Sequence, residues 1–171
     1  FKTFPPLEAY KLDLIGSVLG ILGVTALSFL GLPPVAWGTV AGAVLVLVSL
    51  PKVRLVTVAA VAVVIALLGI ESLEERTWWS PYYKVEQEDA PYGGYMAKVN
   101  EVPHQSTLPV ADNPLYGSNY AQAAGTQPRR VLIIGAGGGN DVAAALQNGA
   151  EHVDAVEIDR KIYELGKEDH P

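Results

Sequence analysis

Hydrophobic and polar positions divide this chain into two regimes. No charged residue occurs between Leu14 and Pro51, and after Lys52 and Arg54 a second uncharged run extends from Leu55 to Ile70. From Glu71 onward, charged, aromatic and aliphatic residues alternate in short runs. A helix needs about 20 apolar residues to cross a bilayer, within a range of roughly 17 to 25. The first run exceeds one span, and Gly31-Leu-Pro-Pro34 interrupts it. Proline cannot continue a helix and pushes the residue before it out of the helical region. The pattern therefore predicts about three transmembrane helices, near 12–30, 34–50 and 53–70. A signal peptide would be one shorter apolar stretch with a small-residue cleavage site and does not account for three. Gly16/Gly20 and Gly38/Gly42 have the four-residue spacing that lets helix backbones approach within a membrane.

The second regime begins with a charged exit, Glu71 to Arg76, and with Trp78 and Trp79, aromatics that favour a membrane–water interface. Tyr82-Tyr-Lys-Val-Glu86 and Tyr95-Met-Ala-Lys-Val99 alternate as two strands do, and Pro91-Tyr-Gly-Gly94 supplies a turn between them. A polar stretch over 117–130 holds a short helix near 120–124. Val131-Leu-Ile-Ile134 then reads as a strand buried on both faces, as in a parallel sheet. The glycines of Gly135-Ala-Gly-Gly-Gly139 allow a tight turn and close approach to a ligand. A helix is expected over 141–148, with Gly149 at its C-terminal cap. A second strand follows and ends in Glu157. That carboxylate lies roughly 20 residues after the first glycine, where ribose hydroxyls are bound in nucleotide-binding half-units.

The strict dinucleotide fingerprint fails, because the position of its third glycine is Asn140. The packed turn suits a nucleoside without a pyrophosphate, such as the adenosine of S-adenosylmethionine. Composition narrows the chemistry further. The chain has 171 residues, a net charge of −6 and no cysteine. Disulfides, thiol metal sites and a cysteine nucleophile are excluded, no metal centre is expected, and the acidity gives no footprint for nucleic acid. His104 is a candidate base or ligand, with an ordinary surface histidine the simpler reading. His152 and His170 read as ordinary histidines. Tyr82, Tyr83, Tyr92 and Tyr95 could line a nucleoside pocket or simply pack a sheet.

The order of these motifs resembles the spermidine synthase family of polyamine aminopropyltransferases, over roughly residues 79–171. The family's small β-hairpin domain opens with Ser-Pro-Tyr-Gln, similar to Ser80-Pro-Tyr-Tyr83. Its later glutamine resembles Gln105, and its Asp-Glu-x-x-Tyr-His element resembles Asp112-Asn-Pro-Leu-Tyr116-Gly117. The glycine turn and acidic strand end match Gly135 to Gly139 and Val156-Glu-Ile-Asp159. A multi-pass membrane region ahead of such a domain looks like the membrane-fused bacterial branch. Three departures bear on the chemistry. Tyr83 stands for the family glutamine, Gly117 for the histidine, and Gly138 for the carboxylate that faces the donor's aminopropyl ammonium. Asp141 lies nearby as a substitute partner.

Three segments are expected: transmembrane helices over 1–76 from the apolar runs, and, with the resemblance, a β-hairpin domain over 77–116 and over 117–171 the first part of a Rossmann-like S-adenosyl-binding domain. Two parallel strands alone cannot bury both sheet faces, so the chain is expected to be a fragment. The expected function is a membrane-anchored aminopropyltransferase. Its co-substrate would be decarboxylated S-adenosylmethionine or S-adenosylmethionine, with no tightly bound cofactor and a small-molecule amine as acceptor. Gln105, Gly135, Gly137, Gly138, Gly139, Asp141 and Glu157 are expected at the donor, and Tyr83 and Tyr116 at the acceptor. The family's general-base aspartate would lie beyond Pro171. Two alternatives stand beside it: a methyltransferase or other S-adenosyl group transferase, and a non-enzymatic membrane protein with a nucleoside-binding domain. The lipid bilayer is the expected partner, with a homo-oligomer left open. S-Adenosyl donors are made in the cytosol, so the domain after Ile70 is expected in the cytoplasm and the Lys52–Arg54 turn outside, against the positive-inside preference.

Overall fold

The computed structural model describes residues 4–50, 52–90, 93–122 and 128–171. It divides into two units, Phe1–Glu75 and Arg76–Pro171.

The first unit consists of three helices, α1 (Pro6–Phe29), α2 (Pro34–Ser49) and α3 (Leu55–Ser72). Proline at the first position starts both α1 and α2, where its missing N–H has no partner to lose. Helix α1 begins six residues earlier than the apolar run suggests, because Glu8, Lys11 and Asp13 limit the apolar stretch without interrupting the helix. It ends where Gly31 takes a positive φ of 63° ahead of the two prolines. Helices α1 and α3 are long and apolar enough to cross a membrane, whereas α2 is a shorter apolar helix of 16 residues, about 24 Å of rise. Neither α1 nor α3 contains a fully buried residue.

Helices α2 and α3 pack through glycine. Gly42 is the one buried residue of α2, and a Cβ there would lie 2.6 Å from Val61 Cγ1. A Cβ on Gly38 would collide with Leu68 Cδ1. Ser72 Oγ donates to Leu68 O and accepts from Val35 N, which joins the start of α2 to the end of α3. The Gly38/Gly42 spacing thus marks a helix contact. The Gly16/Gly20 spacing does not, since nothing lies within 4 Å of either added Cβ.

The second unit opens with four antiparallel strands in chain order, β1 (Thr77–Trp79), β2 (Lys84–Asp89), β3 (Tyr95–Val99) and β4 (Val102–Ser106). Two of them were expected. Strand β2 starts at Lys84 rather than Tyr82, because Ser80 Oγ accepts from Tyr82 N and Tyr83 N and bends the chain there. Residues 91 and 92 of the expected turn lie outside the described residues; Gly93 and Gly94 both take positive φ. Strands β3 and β4 join through Asn100 and Glu101, both with positive φ, the pattern of a two-residue type I′ hairpin. A bulge between Ala97 and Lys98 accommodates Pro103 in β4, an edge strand of this sheet.

After a 3₁₀ turn (Val110–Asp112) and α4 (Pro114–Gln122), the chain forms β5 (Arg130–Ile134), α5 (Asn140–Gln147), the parallel strand β6 (His152–Val156) and α6 (Arg160–Asp169). Helix α4 begins six residues before the helix expected near 120–124, of which 123 and 124 lie outside the described residues. Gly149 adopts the left-handed conformation expected of a cap. Strand β5 departs from expectation in burial. Ile133 is buried, but Leu132 and Ile134 are 64% and 81% exposed, because α5 covers one face of the two-stranded sheet. Helix α6 packs Ile162 and Leu165 against Val85, Tyr95 and Ala97 of the antiparallel sheet. A second cluster gathers Ile133, Ala136, Ala145 and Ala150 beneath α5.

Candidate functional site

The site is built where the glycine turn meets the ends of β4 and β6. Gly135, Gly137 and Gly139 have φ of 74°, 54° and 96°, values that only glycine adopts at little cost. The N–H groups of Gly135 and Ala136 both donate to Val156 O, at 2.8 and 3.0 Å, which folds the turn back over the end of β6. Glu157 then continues the fixation with its side chain. Its Oε2 accepts from Gly137 N at 2.8 Å and its Oε1 from Asp159 N at 2.9 Å. A carboxylate offers about four lone-pair positions, so one on each oxygen remains for a ligand.

Gln105 of β4 approaches from the antiparallel sheet. Its Oε1 accepts from Gly138 N at 2.7 Å, which leaves the amide nitrogen as the group free to donate. A Cβ on Gly137 would strike that Gln105 side chain. Tyr83 is aimed by the Ser80 turn, whose N–H also donates to Tyr83 O at 2.9 Å. Tyr116 comes from the first turn of α4. Tyr83, Gln105, Tyr116, Gly135, Gly137 and Glu157 together line one recess of about 310 Å³, with His104 and Ile162 completing it. Six of the nine residues expected at the donor or acceptor therefore converge in space.

The other three do not line the recess. Gly138 gives its N–H to Gln105, but its side-chain direction points at the interior: a Cβ would lie 2.5 Å from Thr107 Cγ2 and 2.9 Å from Tyr95 Oη. Gly139 faces His170, whose Cδ2 would lie 3.5 Å from an added Cβ. Asp141 is in the first turn of α5 and acts electrostatically on Tyr120, and burial raises its carboxyl above the ordinary range. A side chain at 138 would thus meet packed atoms. Of the other tyrosines, Tyr82 tilts against Tyr83 with ring centroids 5.8 Å apart, Tyr95 is core, and Tyr92 lies outside the described residues.

Several residues that support the site were not apparent in the motifs. Asn140, only 2% exposed, donates to Ser106 O at 2.7 Å and accepts from Leu108 N at 3.4 Å, fixing the glycine turn to the end of β4. His170 meets the same Asn140 Oδ1 at 3.1 Å, and burial lowers its pKa. Asp159 caps α6 by accepting from Lys161 N and Ile162 N. Gly166 allows α6 to cross the turn, since a Cβ there would lie 2.8 Å from the carbonyl of Gly138. The Tyr95 hydroxyl is buried without a partner among the described residues, and burial, with Asp169 second, pushes its pKa up to about 12. No family model matches the chain, and no curated protein matches it.

Proposed function

We propose that the recess holds the adenosyl group of an S-adenosyl donor, and that the protein is a membrane-anchored transferase resembling the spermidine synthase family. One observation carries this reading: Glu157 and Gly137, named from motif spacing, and Gln105, named from the family resemblance, are hydrogen-bonded into a single recess. The free lone pairs of Glu157 suit two ribose hydroxyls, and the Gln105 amide nitrogen can donate to the nucleoside. Among the described residues, Glu157 and His104 are the ionisable lining groups besides the two tyrosines, and no Lys or Arg lines the recess. Such a site suits an uncharged or cationic nucleoside better than one carrying phosphates. The second unit is read as the opening half of a Rossmann-like domain. The first is read as three spans, with α2 reaching across by local thinning of the bilayer or by its flanking residues. The second unit belongs on the cytoplasmic side, where S-adenosyl donors are made.

In aminopropyl transfer, an amine nitrogen attacks the methylene beside the sulfonium, the carbon–sulfur bond breaks, and methylthioadenosine leaves. The amine must first lose its proton to a base. Holding donor and amine in line supplies much of the rate, and Tyr83 and Tyr116 border the acceptor side of the recess. Methyl transfer from S-adenosylmethionine is a second reading, favoured by one observation. Among the described residues, Glu157 is the one carboxylate lining the recess, which leaves none of them as a second acid for an aminopropyl ammonium.

Calorimetric titration of the detergent-solubilised chain with S-adenosylmethionine, its decarboxylated form and methylthioadenosine tests both readings. Tighter binding of the decarboxylated donor supports aminopropyl transfer, and parity or the reverse supports methyl transfer. Failure of all three ligands to bind a folded chain overturns the nucleoside site.

A further inference from the structure

We infer that the turn between α2 and α3 binds the phosphate of an anionic lipid headgroup. This rests on the membrane reading above. Lys52 and Arg54 are the only charges between Asp13 and Glu71. Neither forms an ion pair among the described residues. Both line an open recess of about 630 Å³ at the end of the helical hairpin, together with Ser49 and Thr57.

Helix α3 begins at this recess with no side-chain cap and no acidic residue in its first turn. The first N–H groups of any helix lack intrahelical acceptors, and near hydrocarbon they need another oxygen. The macrodipole adds partial positive charge at the same place. Two cations, an uncapped helix start and the Thr57 hydroxyl therefore converge, and no acid stands in the first turn of α3. The surroundings select a lipid over free phosphate. Val48 and Leu55 flank the turn at 80% and 86% exposure, so acyl chains can lie along the helices while the phosphate meets Lys52 and Arg54. A soluble anion satisfies only half of this surface.

The test uses the full chain in zwitterionic detergent, titrated with phosphatidylglycerol, phosphatidylcholine or inorganic phosphate and followed by native mass spectrometry. Phosphatidylglycerol should bind saturably and in preference to phosphatidylcholine. Each basic residue near a membrane surface contributes a factor of about five in affinity, so Lys52→Gln with Arg54→Gln should weaken phosphatidylglycerol about thirty-fold. Arg54→Lys should retain most of the affinity. Circular dichroism on each variant confirms the helices. Equal binding of the two lipids, an unchanged double variant, or saturable binding of inorganic phosphate in place of the lipid overturns the assignment. Alkaline carbonate extraction of the same membranes separates the two readings. A chain released by carbonate overturns the membrane reading, and a retained chain without anionic-lipid preference overturns the lipid site alone.

Discussion

Gly138 stands where the family carries a carboxylate, and its surroundings make a sharp prediction about any side chain placed there. An added Cβ would lie 2.5 Å from Thr107 Cγ2 and 2.9 Å from Tyr95 Oη. Neither neighbour yields easily. Thr107 is fully buried and Tyr95 is 2% exposed, and three hydrogen bonds join them: Tyr95 N to Thr107 Oγ1 at 3.0 Å, Thr107 Oγ1 to Tyr95 O at 3.1 Å, and Thr107 N to Tyr95 O at 2.8 Å. The turn has little room to shift toward α6, because Gly166 already packs against its carbonyl. Overfilling a packed site costs about 1–3 kcal/mol, so Gly138→Ala should lose about 2 kcal/mol. Tyr95→Phe removes a hydroxyl that has no partner among the described residues and that stays neutral, with a pKa pushed up to about 12. By itself that change should shift stability by less than about 1 kcal/mol, because no hydrogen bond is lost. It also removes one of the two atoms that the alanine methyl would meet, while Thr107 Cγ2, the nearer, stays in place. The double variant should therefore recover part of the loss, about 1 kcal/mol relative to the sum of the singles. Urea unfolding of the solubilised chain in a Trp37→Phe background, followed through Trp78 and Trp79 emission, measures the cycle. Additivity to within about 0.5 kcal/mol would refute the Tyr95 contact assigned to Gly138. Gly138→Asp would add a buried carboxylate to the same clash, so it should destabilise the turn before it can alter donor preference.

Three other predictions are independent of that cycle. Gly42→Val should separate α2 from α3 by collision with Val61, costing about 1–3 kcal/mol and lowering the melting temperature of the helices by circular dichroism, whereas Gly16→Val should have little effect. Asp141 has its pKa raised by burial, so its contribution to stability is complete below the ordinary carboxylate pKa and is lost as pH rises through the raised value; Asp141→Asn should accordingly gain stability over the native chain at neutral pH, with the difference shrinking in acid. For orientation, the absence of cysteine permits single-cysteine labelling. Leu73→Cys, at a position 82% exposed, should resist an impermeant reagent in intact spheroplasts while Val53→Cys reacts. The reverse pattern would contradict a cytoplasmic second unit.

Sequence patterning revealed the apolar helices, the glycine turn and the acid that holds it, because each depends on local residue types at fixed spacing. Strand β4 was hidden: Val102-Pro-His-Gln-Ser106 has no apolar alternation, and its pairing depends on a bulge and on the Asn100–Glu101 turn. Helix α6 was hidden for a different reason. Motif spacing ends the second strand at Glu157, and the strand stops one residue earlier, at Val156, because Glu157 turns in to Gly137 and Asp159 caps the next helix. The Ile162 and Leu165 pair that packs on the antiparallel sheet then follows at helical spacing. In the motif Asn140 reads only as a missing glycine, although its amide is what fastens the turn to Ser106 and Leu108. Long-range contacts of this kind leave no local periodicity.

The central claim is that Glu157 is the acceptor for an adenosyl ligand, and the dissociation constant for methylthioadenosine tests it most directly. This ligand has the ribose hydroxyls and the thioether but no reactive sulfonium, so it reports binding without turnover. Hydrogen bonds to a charged acceptor contribute about 1.5–3 kcal/mol. Glu157→Gln keeps a side-chain oxygen for one of the two backbone N–H groups that the carboxylate now holds, which limits damage to the turn. Titration of the solubilised chain should show saturable binding by the native protein, a loss of about one to two decades in Glu157→Gln, and no change in Asp154→Asn on the exposed face of β6. An unchanged dissociation constant in a folded Glu157→Gln variant, or no binding by the native chain, would contradict the account.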